Sequence, residues 1–146
     1  MKILFCEDDY DSAELVLAVL RSGGHSVEYA QTADQAVTLF DANSKSGDAP
    51  FDLLITDVEM DGHSGLFFAS HARAEGFAGR IAVYTGYERD VVISSLQAVN
   101  AEYWPKPQSP QCLVHLVDGS NAPCGEGQKC GICGPLASQG VLNVCD

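Results

Sequence analysis

The chain has 146 residues, enough for one ordinary domain with a small appendage and too few for a second large module. Eight Lys and Arg against twenty Asp and Glu give a formal net charge of −12, which disfavours a surface that tracks nucleic-acid phosphates. No apolar run approaches membrane-spanning length, and "MKILFCEDDYD" turns acidic where a signal peptide would stay apolar, so no membrane contact and a cytoplasmic location are expected.

"KILFC" (2–6) is a short apolar run that ends in acids, and residues 11–22 place Leu15, Val16, Ala18, Val19 and Leu20 as a helix packed on a sheet would. Gly23 and Gly24 end that helix. "HSVEYA" (25–30) alternates like a strand, and "TADQ" (32–35) has the form of a capping box ahead of Ala36, Val37, Leu39 and Phe40. "NSKSGDAP" (43–50) reads as a loop. "DLLIT" supplies a third strand ending on Asp57, residues 64–75 a helix, and "RIAVYT" (80–85) a fourth strand. A helix over 88–100 leads into "AEYWPKP" (101–107), whose first half is a fifth strand. Ser109 and Pro110 then start a last helix of about two turns. Alternation of this kind predicts an α/β domain with a parallel sheet covered on both faces.

In such a sheet, ligands bind beyond the carboxyl ends of the strands where the connections diverge, between the first and third strands if the order is 2-1-3-4-5. Glu7, Asp8 and Asp9 end the first strand and Asp57 ends the third, so distant carboxylates converge. Their repulsion favours a hard divalent cation such as Mg²⁺, which leaves room for a phosphate oxygen. Thr85 and Lys106 end the fourth and fifth strands with a hydroxyl and an ammonium, both suited to a phosphoryl group. Asp57 is then a candidate nucleophile for an aspartyl phosphate.

In "ILFCEDD", "LLITDVEMDGHSG", "IAVYTG" and "AEYWPKP", taken in order, residues 1–118 resemble the receiver domain of two-component response regulators. The resemblance implies a flavodoxin-like, doubly wound five-stranded parallel sheet of order 2-1-3-4-5. It further implies a chemotaxis-regulator-like, stand-alone protein in which Asp57 accepts phosphate from a histidine kinase or histidine phosphotransfer protein. Asp8, Asp57 and the main-chain carbonyl of Glu59 would bind Mg²⁺, with Glu7 assisting. Thr85 and Lys106 would contact the phosphoryl oxygens, Tyr103 would be the aromatic switch, and Lys106-Pro107 would be cis. Output would run through an unknown downstream protein, with a phosphorylation-dependent dimer as one expected assembly. No turnover of an external substrate is expected, only self-phosphorylation and autodephosphorylation.

Asp61 stands where the family commonly has Pro, and Glu59 and Tyr87 occupy positions that in the family modulate access of the hydrolytic water. Cys6 reads as a core residue, and His25, His63 and His71 as surface or structural groups. A Mg²⁺-dependent aspartyl-phosphate phosphatase is the competing reading of the same residues.

Five of the six cysteines fall in the last 35 residues, and residues 119–146 form a Cys- and Gly-rich tail. Its Cys130-Gly-Ile-Cys133-Gly knuckle, completed by Cys124 and Cys145, is a candidate four-thiolate Zn²⁺ site, with Cys112 or His115 as substitutes. The Cys-x5-Cys-x2-Cys spacing of Cys124, Cys130 and Cys133 is also close to one iron–sulfur pattern. Unmetallated free thiols, reversible disulfides and a thiolate metal or redox sensor on a receiver scaffold are the other readings of the tail.

Overall fold

The computed structural model describes residues 1–119, so Cys124, Cys130, Cys133 and Cys145, the candidate Zn²⁺ ligands, lie outside the described residues. The described chain alternates strictly between strand and helix. β1 (Lys2–Cys6), α1 (Tyr10–Ser22), β2 (Ser26–Ala30), α2 (Ala33–Ser46) and β3 (Leu53–Thr56) form its first half. α3 (Gly65–Ala74), β4 (Arg80–Thr85), α4 (Arg89–Val99), β5 (Glu102–Pro105) and α5 (Pro110–Asp118) complete it. The five strands are parallel in the order β2-β1-β3-β4-β5, the flavodoxin-like topology.

Period-two alternation sends Ile3, Phe5, Leu53 and Ile55 to one face, where they meet Val16 and Leu20 of α1 and Leu113 and Leu116 of α5. Leu4, Cys6 and Leu54 point the other way, against Ala36 and Phe40 of α2 and Phe68 and Ala72 of α3. Both faces are dry, which is why the central strands read as unbroken apolar runs.

The capping residues act largely as their types dictate. Thr32 Oγ1 accepts from the Gln35 amide at 3.0 Å, and Gln35 Oε1 in return accepts from the Gln31 amide at 2.9 Å. Ser109 accepts from the Cys112 amide, with Pro110 at the first helical position. The expected loop at 43–50 is corrected at its start, because α2 runs on through Ser46. Ser44 and Ser46 turn their hydroxyls back onto the carbonyls of Phe40 and Asn43, and Gly47, at φ 77°, ends the helix in a conformation that favours glycine.

Two arginines tie the far end of the sheet together. Arg73 donates to the carbonyls of Phe77, Gly79, Val99 and Asn100 at 2.7–2.9 Å. Arg80 forks onto both carboxylate oxygens of Glu102 at 2.8 and 2.9 Å and reaches the last carbonyls of α5, on Leu116 and Val117. Among the described residues, no helix is long and apolar enough to cross a membrane.

Candidate functional site

Three consecutive acids leave β1, and the structure gives each a different task. Glu7 turns inward and is 2% exposed. Its Oε2 lies 2.6 Å from Lys106 Nζ, and its Oε1 accepts from the Asp9 amide at 3.3 Å. Asp9 is the N-cap of α1, accepting from the Asp11 amide and the Ser12 hydroxyl, and the Ser12 bond leads the influences that lower its pKa. Asp8 alone of the three lines the open cleft, where Asp57, Glu59, Thr85 and Tyr87 also lie.

Asp57 follows β3 and is 8% exposed. Its Oδ2 accepts from Lys106 Nζ at 2.8 Å, and its Oδ1 accepts from the Val58 amide at 2.6 Å. The chain can turn so sharply there because residue 65 is glycine. A Cβ on Gly65 would collide with the main-chain carbonyl oxygen of Asp57 and the hydroxyl of Thr56, so α3 starts directly against the turn that presents Asp57.

Lys106 follows β5 and is shared between the two carboxylates. Burial alone would lower its pKa, but the hydrogen bonds to Asp57 and Glu7 outweigh burial and hold it above the ordinary lysine value. Glu7 also moves up, although it is paired with that cation, because its burial outweighs half of a shared ammonium. The Lys106-Pro107 peptide is cis.

Thr85 ends β4 almost fully buried, its Oγ1 accepting from the Tyr87 amide at 3.2 Å. Tyr103 is turned inward, 8% exposed, and donates its hydroxyl to the Tyr87 carbonyl at 2.7 Å. Tyr87 donates its own hydroxyl to the Glu59 carboxylate at 3.1 Å, so one residue touches Thr85, Tyr103 and Glu59. Asp8 Oδ2 accepts from the Asp61 amide at 3.2 Å, which ties the β3–α3 loop to the end of β1.

Thus Glu7, Asp8, Asp57, Glu59, Thr85 and Lys106 gather at the carboxyl end of the sheet, with Tyr103 one layer behind through Tyr87. Sequence reasoning gave no role to Gly65, and it did not foresee the Tyr87–Glu59 contact. A glycine eight positions after a strand-end acid is the only sequence signal for the first. Elsewhere, Cys6 is buried with its thiol 3.5 Å from Met60 Sδ, and burial pushes its pKa up to about 12. His63 and His71 pair with Asp34 and Asp41 at 2.9 and 2.8 Å, and His25 lies 3.0 Å from the amino terminus, in line with structural roles. Cys112 is buried in α5, facing the core.

A family model described as the response regulator receiver domain matches residues 3–118, and the chain belongs to that family. It is therefore a phosphorylatable signalling module of the two-component kind. The fold is similar to the receiver domain of the hybrid histidine kinase CckA, at 26% identity and TM-score 0.66 over 81% of this chain and 96% of that one. It is similar to the chemotaxis protein CheY4 of Vibrio cholerae, at 25% identity and TM-score 0.69 over 80% and 95%. The response regulator TrrA of Thermotoga maritima, solved in complex with Mg²⁺-BeF, matches at 28% identity and TM-score 0.60 over 73% and 86%.

Receiver domains bind Mg²⁺, and the donors here suit it: two carboxylates, of Asp8 and Asp57, and Glu59 line one cleft, all offering oxygen. Among the described residues, no group of three or more His, Cys, Asp or Glu side chains is close enough to hold a metal alone. Glu7 has both carboxylate oxygens engaged already, by Lys106 and by the Asp9 amide.

Proposed function

We propose that Asp57 accepts a phosphoryl group from a phosphohistidine of a histidine kinase or histidine phosphotransfer protein, and that the protein signals through contacts that depend on this modification. The observation that carries the reading is the Lys106 ammonium 2.8 Å from Oδ2 of Asp57, which itself lines the cleft together with Thr85. An Asp57 carboxylate oxygen forms the new O–P bond while the donor's P–N bond breaks, its electron pair returning to the imidazole nitrogen. Lys106 and the Thr85 hydroxyl meet the phosphoryl oxygens, which develop charge during transfer.

Mg²⁺, held by Asp8, Asp57 and the Glu59 carbonyl, would supply charge neutralisation for the phosphoryl oxygens. Once the Thr85 hydroxyl turns to the phosphoryl group it leaves the Tyr87 amide, and through Tyr87 the change reaches Tyr103. Residues 1–118 are the receiver unit in this reading, followed by the Cys- and Gly-rich 119–146.

The test is intact-mass analysis after exposure to a phosphoramidate in Mg²⁺. One phosphoryl mass per chain, labile to hydroxylamine and lost in Asp57→Asn, is expected. Label surviving in Asp57→Asn would sink the assignment, and continued turnover of small phosphate esters dependent on Asp57 would favour the phosphatase reading.

A further inference from the structure

β4 is aliphatic through Ile81, Ala82 and Val83 and then places a phenol, Tyr84, just before Thr85. The side chain is 7% exposed and belongs to the part of the core that faces α1 and α5. A buried phenol needs a partner for its hydroxyl, which another aliphatic residue would not. Tyr84 finds that partner in the main chain, where the Gln108 amide donates to its hydroxyl at 3.2 Å. Burial raises its pKa, so the phenol stays neutral near the carboxylates of Glu7 and Asp57.

The same ring lies beneath the Lys106 ammonium, whose Nζ is 5.3 Å from the ring centroid, close enough for a cation to be drawn to the aromatic face. Tyr84 therefore meets this segment twice, with its ring at the ammonium and its hydroxyl at the amide two residues further on. The loop is also held by the Lys106 amide, which donates to the Thr85 carbonyl at 2.8 Å, and by the Gln108 side-chain amide, which donates to the Pro105 carbonyl. A lysine rides on a flexible four-carbon stem, and immobilising it costs rotamer entropy. The Glu7 contact, at 2.6 Å, is shorter than the Asp57 contact at 2.8 Å, so an ammonium drawn wholly onto Glu7 would leave Asp57 without its cation. A ring under the ammonium and a loop fixed beyond it restrict that drift.

We propose that Tyr84 is a positioning residue for Lys106, its ring and its hydroxyl together keeping the ammonium on Asp57 for phosphoryl transfer. The role in transfer rests on Asp57 being the acceptor, whereas the seat of the ammonium can be read without any transfer. The test uses Tyr84→Phe and Tyr84→Leu in the full chain. In the unphosphorylated protein the Lys106 ε-methylene protons should resonate upfield of the ordinary lysine position, keep that displacement in Tyr84→Phe and lose it in Tyr84→Leu. Labelling by a phosphoramidate at saturating Mg²⁺ should slow about threefold in Tyr84→Phe, which leaves the Gln108 amide unpaired, and about tenfold in Tyr84→Leu. The half-saturating Mg²⁺ concentration should stay at its wild-type value in both. Lys106 protons at the ordinary position in the wild-type protein overturn the proposal. So does wild-type labelling in Tyr84→Leu, and so does a loss of Mg²⁺ affinity that matches the loss of rate, which would mean that the whole cleft has shifted. If Tyr84→Leu does not fold, the wild-type resonance and Tyr84→Phe decide. If wild-type Asp57 takes no label, the proposed function fails, and the resonance still decides whether Tyr84 seats Lys106.

Discussion

The Lys106 ammonium lies 2.6 Å from the Glu7 carboxylate across 99 positions of sequence, and yet both groups have raised pKa values. For Lys106 this means a cation held more firmly, and for Glu7 a carboxylate that burial drives toward its neutral form. The consequences for stability fall at opposite ends of the pH scale. Above Glu7's ordinary value of 4.5 and up to its folded value, the folded protein holds more protons than the unfolded chain, so stability falls as pH rises through that window. Lys106 contributes stability that is complete below 10.5 and lost as pH rises through its higher folded value. Urea midpoints measured against pH should show the acid-side slope flattened in Glu7→Gln and the alkaline loss removed in Lys106→Met. Equal slopes just above pH 4.5 in wild type and Glu7→Gln would contradict the first part.

Removing the cation also leaves Glu7 and Asp57 facing one another, both nearly buried. Lys106→Met should cost about 2–3 kcal/mol, the low side of a broken buried pair because the lysine side chain is 22% exposed. Chemical denaturation in chelator measures this. Loss below about 0.5 kcal/mol would show that the carboxylates relax apart.

Mg²⁺ should stabilise the wild-type protein, by about 1.4 kcal/mol at ten times its dissociation constant. Asp8→Asn should weaken that response while leaving chelator-treated stability nearly unchanged, since among the described residues Asp8 accepts a single amide bond, from Asp61. A thermal shift with Mg²⁺ that is identical in Asp8→Asn would exclude Asp8 as a ligand.

Gly65→Ala adds one methyl group where the Asp57 carbonyl already sits. Moving α3 or the turn to admit it should cost about 2–3 kcal/mol and displace Asp57 from Lys106. Urea unfolding reports the first effect, and slower phosphoryl labelling of the folded fraction reports the second. Wild-type stability in the variant would mean that the turn yields freely.

Tyr87→Phe removes the hydroxyl that reaches Glu59 while keeping the main-chain links to Thr85 and Tyr103. Glu59 is then free to move over the mouth of the cleft, and the half-life of the aspartyl phosphate should change several-fold, with the rate of labelling less affected. Tyr103→Phe breaks the bond to the Tyr87 carbonyl and should cost about 1 kcal/mol. If Tyr87→Phe leaves the half-life at its wild-type value, the Glu59 contact has no part in controlling water.

The fold was readable because β1, β3 and β4 are apolar runs closed by chemically marked residues while β2 alternates, and strand-end acids at 7, 8 and 57 have no better place than a common edge. The division of labour among Glu7, Asp8 and Asp9 was not readable, since three adjacent carboxylates look alike until backbone direction separates them. Asp9 became a cap because its side chain met the free amides of α1, and Glu7 became an internal partner because β1 points it inward. The end of α2 was missed for a related reason: serines favour loops, but here their hydroxyls bond back into the helix. Contacts such as Tyr87–Glu59 and those of Arg73 with the Val99 and Asn100 carbonyls join residues far apart in sequence and leave no periodic trace.

Arg80 grips Glu102 at the start of β5 and the closing carbonyls of α5 with a single guanidinium. The strand that carries Tyr103 and leads to Lys106 is thereby bolted to the point where the described chain departs. Strand and helix therefore hang on one planar group, and a shift of β5 cannot leave the last turn of α5 behind without breaking those bonds.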